Sequence, residues 1–202
     1  MRIGVFGGSF DPVHWGHLRL ADCCWRQAGL DLVEFVPAAS QPLKPLGPVA
    51  AVGDRLAMVQ AAIRERPEFG ASSVEVDRGG VSYTVDTLGE LQAQRHDAEL
   101  FFLMGADSLA DFPHWREPAV ICRLATPLVV RRAGSPPPDF AALAPFVSAT
   151  RLAEIRSAQV EMPDTPISSS AIRRLVAEGG AWRSLVPPAV AAYIDAHRLY
   201  CA

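Results

Sequence analysis

Four short apolar runs, residues 3–6, 32–36, 99–104 and 128–131, alternate along this chain with segments whose apolar residues recur at helical spacing. That alternation constrains the fold more than any other feature. Strands rich in Ile, Val, Leu and Phe, with few polar interruptions, are buried on both faces, and a mostly parallel sheet with helices on both sides achieves this. The expectation is a Rossmann-like, doubly wound α/β domain. Helices are expected over about 14–28, where Gly29 supplies a stop, over about 54–66, and from Val85 through Leu88 and Leu91. A further short strand is expected at 73–76. Two more helices, about 168–178 and 188–197, make up a C-terminal helical part that begins near residue 163. Residues 38–52, with three prolines and Lys44, read as a loop, and residues 133–139 as a Pro-rich break expected to be mobile. The 202 residues, half of them hydrophobic, suit one domain spanning 1–202.

A net charge of −3 argues against a general nucleic-acid binder, which carries a basic field. A nucleotide-sized anion needs only a few local cations and helix N-termini, so mild acidity does not count against a nucleotide enzyme. Residues 1–6 read as a strand and not as a leader, having no long apolar core and no cleavage site. No apolar stretch approaches the ~18 residues of a membrane span. Cysteines at 23, 24, 122 and 201, without any CxxC, fit reduced thiols in a cytoplasmic protein.

Two glycines, Gly7 and Gly8, follow the first strand directly and permit a tight turn with close approach of backbone to a ligand. The next helix opens near His14, so its unpaired N–H groups face that strand end and make an anion site before any side chain is considered. His14 and His17 stand one helical turn apart and project from one face. No Gly-Lys-Ser/Thr follows, so this is not a Walker loop, and GxGxxG is absent. A zinc reading would need a third ligand beyond HxxH. Near the other end, Pro166 precedes Ile167-Ser168-Ser169-Ser170-Ala171-Ile172-Arg173. Ser168 is a good N-cap, and Arg173 reaches back toward the helix start, making a second anion site.

The stretch from Gly8 to His17 resembles the nucleotidylyltransferase superfamily signature, a strand followed by Gly-x-Phe-Asp-Pro-x-His-x-Gly-His, and residues 167–173 resemble its Ile-Ser-Ser/Thr-x-x-Ile-Arg motif. The resemblance implies that His14, His17, Lys44 and Arg173 carry catalysis on the ATP phosphates. It implies that Gly7, Gly8, Ser9, Phe10, Gly105, Asp107, Ile167, Ser168 and Ser170 join them in binding ATP. Three more segments are similar to the bacterial nicotinate-nucleotide adenylyltransferases: Ser82-Tyr83-Thr84-Val85-Asp86-Thr87, Gly105-Ala106-Asp107 with Trp115 downstream, and the helix holding Arg55, Leu56 and Met58. That likeness implies transfer of AMP from ATP to nicotinate mononucleotide in NAD synthesis, with Asp11, Lys44, Tyr83, Thr84 and Trp115 serving the acceptor. Gly105 lets backbone approach a ribose, Asp107 can accept from sugar hydroxyls, Trp115 offers a flat face to a pyridine ring, and N–H groups near Tyr83 and Thr84 can hold a carboxylate.

The chemistry suits this inventory. A nucleotide phosphate has a second pKa of ~6, so the attacking oxygen is already ionised and the work is alignment and charge stabilisation. Mg²⁺ is expected to accompany ATP, bridging phosphate oxygens with water as its other ligands and no protein ligand named. The expected partners are ATP and nicotinate mononucleotide, with neither nucleic acid nor membrane, and a homo-oligomer is compatible with the chain. One departure stands out: the family usually has Pro-Pro-His-Lys where this chain has Gln41-Pro42-Leu43-Lys44. His96, His114 and His197 match no motif and read as surface residues. The rival readings are another transferase of the superfamily, acting on nicotinamide mononucleotide or pantetheine phosphate or using CTP, and a nucleotide-binding regulator without turnover.

Overall fold

A computed structural model describes residues 1–40 and 48–201. In chain order the described elements are β1 (Arg2–Gly8), α1 (Trp15–Ala28), β2 (Leu32–Pro37), α2 (Val52–Ile63), β3 (Phe69–Ala71), α3 (Val74–Arg78), α4 (Thr84–Gln94) and β4 (Glu99–Gly105). They continue with α5 (Ala106–Asp111), α6 (Pro118–Leu124), β5 (Ala125–Arg132), α7 (Ala149–Ser157), β6 (Val160–Met162), α8 (Ser169–Ala177) and α9 (Pro188–His197). The sheet order is β3-β2-β1-β4-β5-β6. β1 pairs with β4, β4 with β5 and β5 with β6, all parallel, in registers that set Ile3 beside Leu100 and Phe102 beside Pro127. The order turns back on itself between β1 and β4, the switch at which doubly wound sheets place ligands beyond their strand ends.

The strands follow from sequence because neighbouring side chains point to opposite faces. Ile3, Val5 and Phe6 are all buried, as are residues 100–104 of β4 and 125–130 of β5, so both faces of the sheet are covered. α1 ends where Gly29 turns to φ 59, and the Leu30 N–H closes back on the Trp25 carbonyl at 3.0 Å.

The expected strand at 73–76 is not there. β3 lies a few residues earlier, and residues 74–78 are helical. Val74 and Val76 suggested a strand, but Glu75 and Asp77 suit the positive end of a helix, and Ser73 Oγ donates to Asp77 Oδ2 at 2.7 Å across one turn. The helix expected over 54–66 begins at Val52 and ends at Ile63. α5, α6, α7 and β6 had no counterpart in the sequence reading.

The chain divides into two compact units, each assembled from separate segments, with β1 and β2 giving residues to both. One unit comprises Met1–Phe6, Leu20–Glu34 and Tyr83–Asp164, and its interior holds Leu100, Phe102, Leu128 and Val129. The other comprises Gly7–Arg19, Phe35–Ser82 and Thr165–Ala202. There α2 packs on α9 around Met58, Val59, Val190 and Ile194, and Tyr193 donates its O–H to Asp54 at 2.9 Å. No helix among the described residues is long and apolar enough to cross a membrane.

Candidate active site

The segment after β1 is held in shape from beneath. Phe10 takes φ 48 and buries its ring, 1% exposed, against Phe35 at 5.5 Å and the edge of His17 at 5.0 Å. Its side chain therefore supports the turn from the interior. Asp11 is buried too, at 2% exposure. Its Oδ2 accepts from the Val49 N–H at 2.7 Å, and its Oδ1 from the Ala50 N–H at 3.1 Å and the Tyr200 O–H at 2.8 Å. The carboxylate thereby anchors the loop. Arg55, 1% exposed, braces the same region by donating to the carbonyls of Ser9 at 2.7 Å, Ala50 at 3.2 Å and Ala39 at 3.4 Å. Burial pulls its guanidinium below the ordinary value, and the charge on Asp11 leads the groups that oppose this.

The two histidines stack, with ring centroids 3.7 Å apart and planes 24° from parallel. His14 Nδ1 accepts from the Gly16 N–H at 3.1 Å, and His17 Nδ1 accepts from the His14 N–H at 3.3 Å. An accepting Nδ1 leaves Nε2 as the ring nitrogen that can donate. Gly16 allows a close approach: a Cβ there would stand 3.0 Å from both Cε1 and Nδ1 of His14, so the ring would have to give by a few tenths of an ångström. Gly7, at the strand end, is exposed, and a Cβ on it would meet nothing within 4 Å.

α8 brings the second motif to the first within the same unit. Ser168 is the N-cap, as expected, accepting from the Ala171 N–H at 3.2 Å. Ser169 Oγ donates to the Pro12 carbonyl at 3.0 Å, and the Ile167 carbonyl lies 3.8 Å from where a Cβ on Gly16 would stand. Arg173 reaches back along its helix, donating from Nη2 to Ser170 Oγ at 3.3 Å and from Nη1 to the Asp11 carbonyl at 2.8 Å. Its Nη1 lies 3.6 Å from Asp11 Oδ2, and its side chain is 28% exposed. Two motifs separated by most of the chain thus close on one loop.

Tyr83, Thr84, Gly105, Asp107 and Trp115 belong to the other unit. Tyr83 caps α4 by backbone alone, with no side-chain hydrogen bond, so the first-turn N–H groups at Thr84 and Val85 are left for an anion. Arg116, which the sequence reading passed over, sets its guanidinium 4.7 Å over the Tyr83 ring and 3.6 Å from Asp86. Trp115 packs on Phe102 and Phe112, and its indole N–H is buried with no acceptor among the described residues. Asp107 is exposed in the first turn of α5, and a Cβ on Gly105 would meet nothing within 4 Å.

Lys44 lies outside the described residues. His96, His114 and His197 are exposed, as expected. Among the described residues no group of three or more His, Cys, Asp and Glu is gathered that could hold a metal ion. Sequence reasoning also missed Tyr200, whose only signal was an aromatic just past the final helix.

Comparison with known proteins adds three findings. The cytidylyltransferase-like family matches residues 5–175. A protein of Rhodopirellula baltica named probable nicotinate-nucleotide adenylyltransferase is 42% identical over 98% of this chain and 92% of its own length, and one so named from Thermomicrobium roseum is 44% identical over 98% and 91%. The structure of Plasmodium falciparum nicotinic acid mononucleotide adenylyltransferase complexed with NaAD superposes with a TM-score of 0.73 at 16% identity, covering 98% of this chain and 97% of that one.

Proposed function

The chain belongs to the cytidylyltransferase-like family and, within it, to the nicotinate-nucleotide adenylyltransferases, and from that membership we propose that it transfers AMP from ATP to nicotinate mononucleotide, yielding nicotinate adenine dinucleotide and pyrophosphate. The observation that carries the reading is the attachment of Arg173, Ser169 and the stacked His14–His17 pair to one loop after β1. Donors of this kind suit a triphosphate.

In the proposed reaction an ionised oxygen of the acceptor phosphate attacks the α-phosphorus of ATP, and the bond from that phosphorus to the bridging oxygen breaks. Negative charge gathers on departing pyrophosphate. His14 and His17, donating from Nε2, and Arg173, from its guanidinium, meet that charge without moving a proton, and the N-terminal turn of α8 adds its dipole. Lys44 is assigned the same task from the motif. Gly7, Gly8, Ser9, Ile167, Ser168 and Ser170 line the triphosphate in this reading, and Gly105 and Asp107 serve the ribose. Mg²⁺ accompanying ATP would supply further positive charge to the polyphosphate, and no residue of this chain is assigned as its ligand. For the acceptor, the uncapped start of α4 with Arg116 beside it suits the carboxylate of nicotinate better than a neutral amide. The buried N–H of Trp115 offers one more donor. A reducing cytoplasmic setting belongs to the same proposal and is supported by Cys24 and Cys122, which are buried as thiols.

The test is incubation with Mg²⁺ and either ATP or CTP, together with nicotinate mononucleotide, its amide or pantetheine phosphate, identifying products by mass. The expected product is the nicotinate dinucleotide from ATP, with kcat/KM higher for nicotinate than for the amide. Parity or an amide preference overturns the acceptor assignment. ATP binding without pyrophosphate release from any acceptor overturns the reaction.

A further inference from the structure

Tyr200 stands 189 positions from Asp11 in sequence, yet its phenol donates to Asp11 Oδ1 at 2.8 Å. The chain arrives there through two left-handed residues, Arg198 at φ 50 and Tyr200 at φ 63. The first closes α9 in the ordinary way, with the Leu199 N–H returning to the Ile194 carbonyl at 3.1 Å. The second is not needed to end a helix. A bulky residue keeps such a conformation only where its surroundings enforce it, and here the enforcing contact is a hydrogen bond into the first motif.

Asp11 has a second neighbour of consequence. Arg173 touches this loop by a proper hydrogen bond to the neutral main-chain carbonyl of Asp11 at 2.8 Å, while its Nη1 stays 3.6 Å from the carboxylate. The carboxylate's own hydrogen bonds come from neutral donors: the N–H groups of Val49 and Ala50, and the Tyr200 O–H. We propose that Tyr200 is a positioning residue for phosphate binding, whose O–H holds the Asp11 carboxylate in this arrangement and so keeps its ion pair with Arg173 at 3.6 Å, without letting it tighten into a direct hydrogen bond. The guanidinium then keeps its outward N–H groups for the polyphosphate. Burial, the leading cause, pushes the phenol well above its ordinary value, with the charge on Asp11 adding to this, so it remains a donor at any physiological pH.

This inference rests on the proposed role of Arg173, and the experiment separates the two. Tripolyphosphate binding is measured by calorimetry, alongside KM for ATP and kcat, in the native chain, Tyr200→Phe, Arg173→Gln and the double variant. Tyr200→Phe keeps the ring and loses only the O–H. It is expected to weaken tripolyphosphate binding and raise KM for ATP by about tenfold, with a smaller change in kcat and a melting temperature within about 3 °C of the native chain. A chain ending at Leu199 is expected to show the same pattern. In the Arg173→Gln background the loss of the O–H should change binding by less than about twofold, because the effect travels through the guanidinium. An equal factor in both backgrounds means a merely structural role and overturns the proposal, as does native binding in Tyr200→Phe. If Arg173→Gln itself binds as the native chain does, the assignment of Arg173 fails and the tail's role fails with it.

Discussion

Gly16 sets how closely His14 lies against its own helix. A methyl group there would stand 3.0 Å from two atoms of the imidazole, and the ring is also tethered by the Gly16 N–H, so it must tilt off the His17 face. Gly16→Ala is therefore expected to lower kcat by about 10–100-fold with little change in melting temperature, since small misplacements of a charge-stabilising group are costly. His17→Ala should cost more, about 10²–10³ in kcat, because it deletes a donor to the charge that develops in the transition state. Steady-state kinetics with a thermal melt on each variant decides this. Near-native turnover in His17→Ala would remove the histidine from the mechanism. The spacing of His14 and His17 was readable in the chain because one helical turn determines it. The burial of Phe10 and Asp11 was not readable for a physical reason: a motif specifies which residues are needed but not how deeply each is packed. Their burial depends on Phe35, Arg55 and Tyr200, which come from three distant segments.

Two helix starts differ in how they are capped. α8 opens with a capped, hydroxyl-rich turn in which Ser168 closes the helix and Ser169 ties it to Pro12. Ser168→Ala is expected to cost about 1 kcal/mol, the usual loss for an N-cap, seen as a lower melting temperature. Ser169→Ala removes no cap and should act through KM for ATP, since what it loses is the tether of Arg173's helix to the first motif. α4, by contrast, opens without a side-chain cap and with Arg116 stacked on Tyr83. Arg116→Gln is expected to reduce the preference for nicotinate over nicotinamide mononucleotide by about tenfold, a charge-assisted contact being worth more to a carboxylate than to an amide. An unchanged kcat/KM ratio would assign recognition to the N–H groups alone. The long periodic helices and apolar strands were legible in the sequence. α3 was not, because five residues with alternating valines fit two periods equally well, and α5 and α6 were too short for any period to register.

The whole molecule carries a common response to alkali. Cys24, Cys122, Tyr193 and Tyr200 are all displaced upward from their ordinary values, with loss of water as the leading cause in each, and Cys122 reaches about 11. Each is neutral when protonated, so the fold favours the protonated form and the unfolded chain releases the proton first. Below the unfolded values, 9.0 for the thiols and 10.0 for the phenols, both states are protonated and the full stability is present. As pH rises past those values, the unfolded chain gains solvated anions before the folded chain does, and stability falls until the folded groups themselves ionise. The two cysteines lie in one compact unit and the two tyrosines in the other, a division no sequence pattern announced because each unit is assembled from separate segments. Melting temperature followed from pH 7 to 11 should therefore hold level to about pH 9 and then decline. Replacing Cys24 and Cys122 together by alanine should postpone the onset toward pH 10, leaving the tyrosines to set it. A melting temperature that stays level to pH 11 in the native chain would mean that Cys24, Cys122 and Tyr200 are not shielded from water as their burial requires.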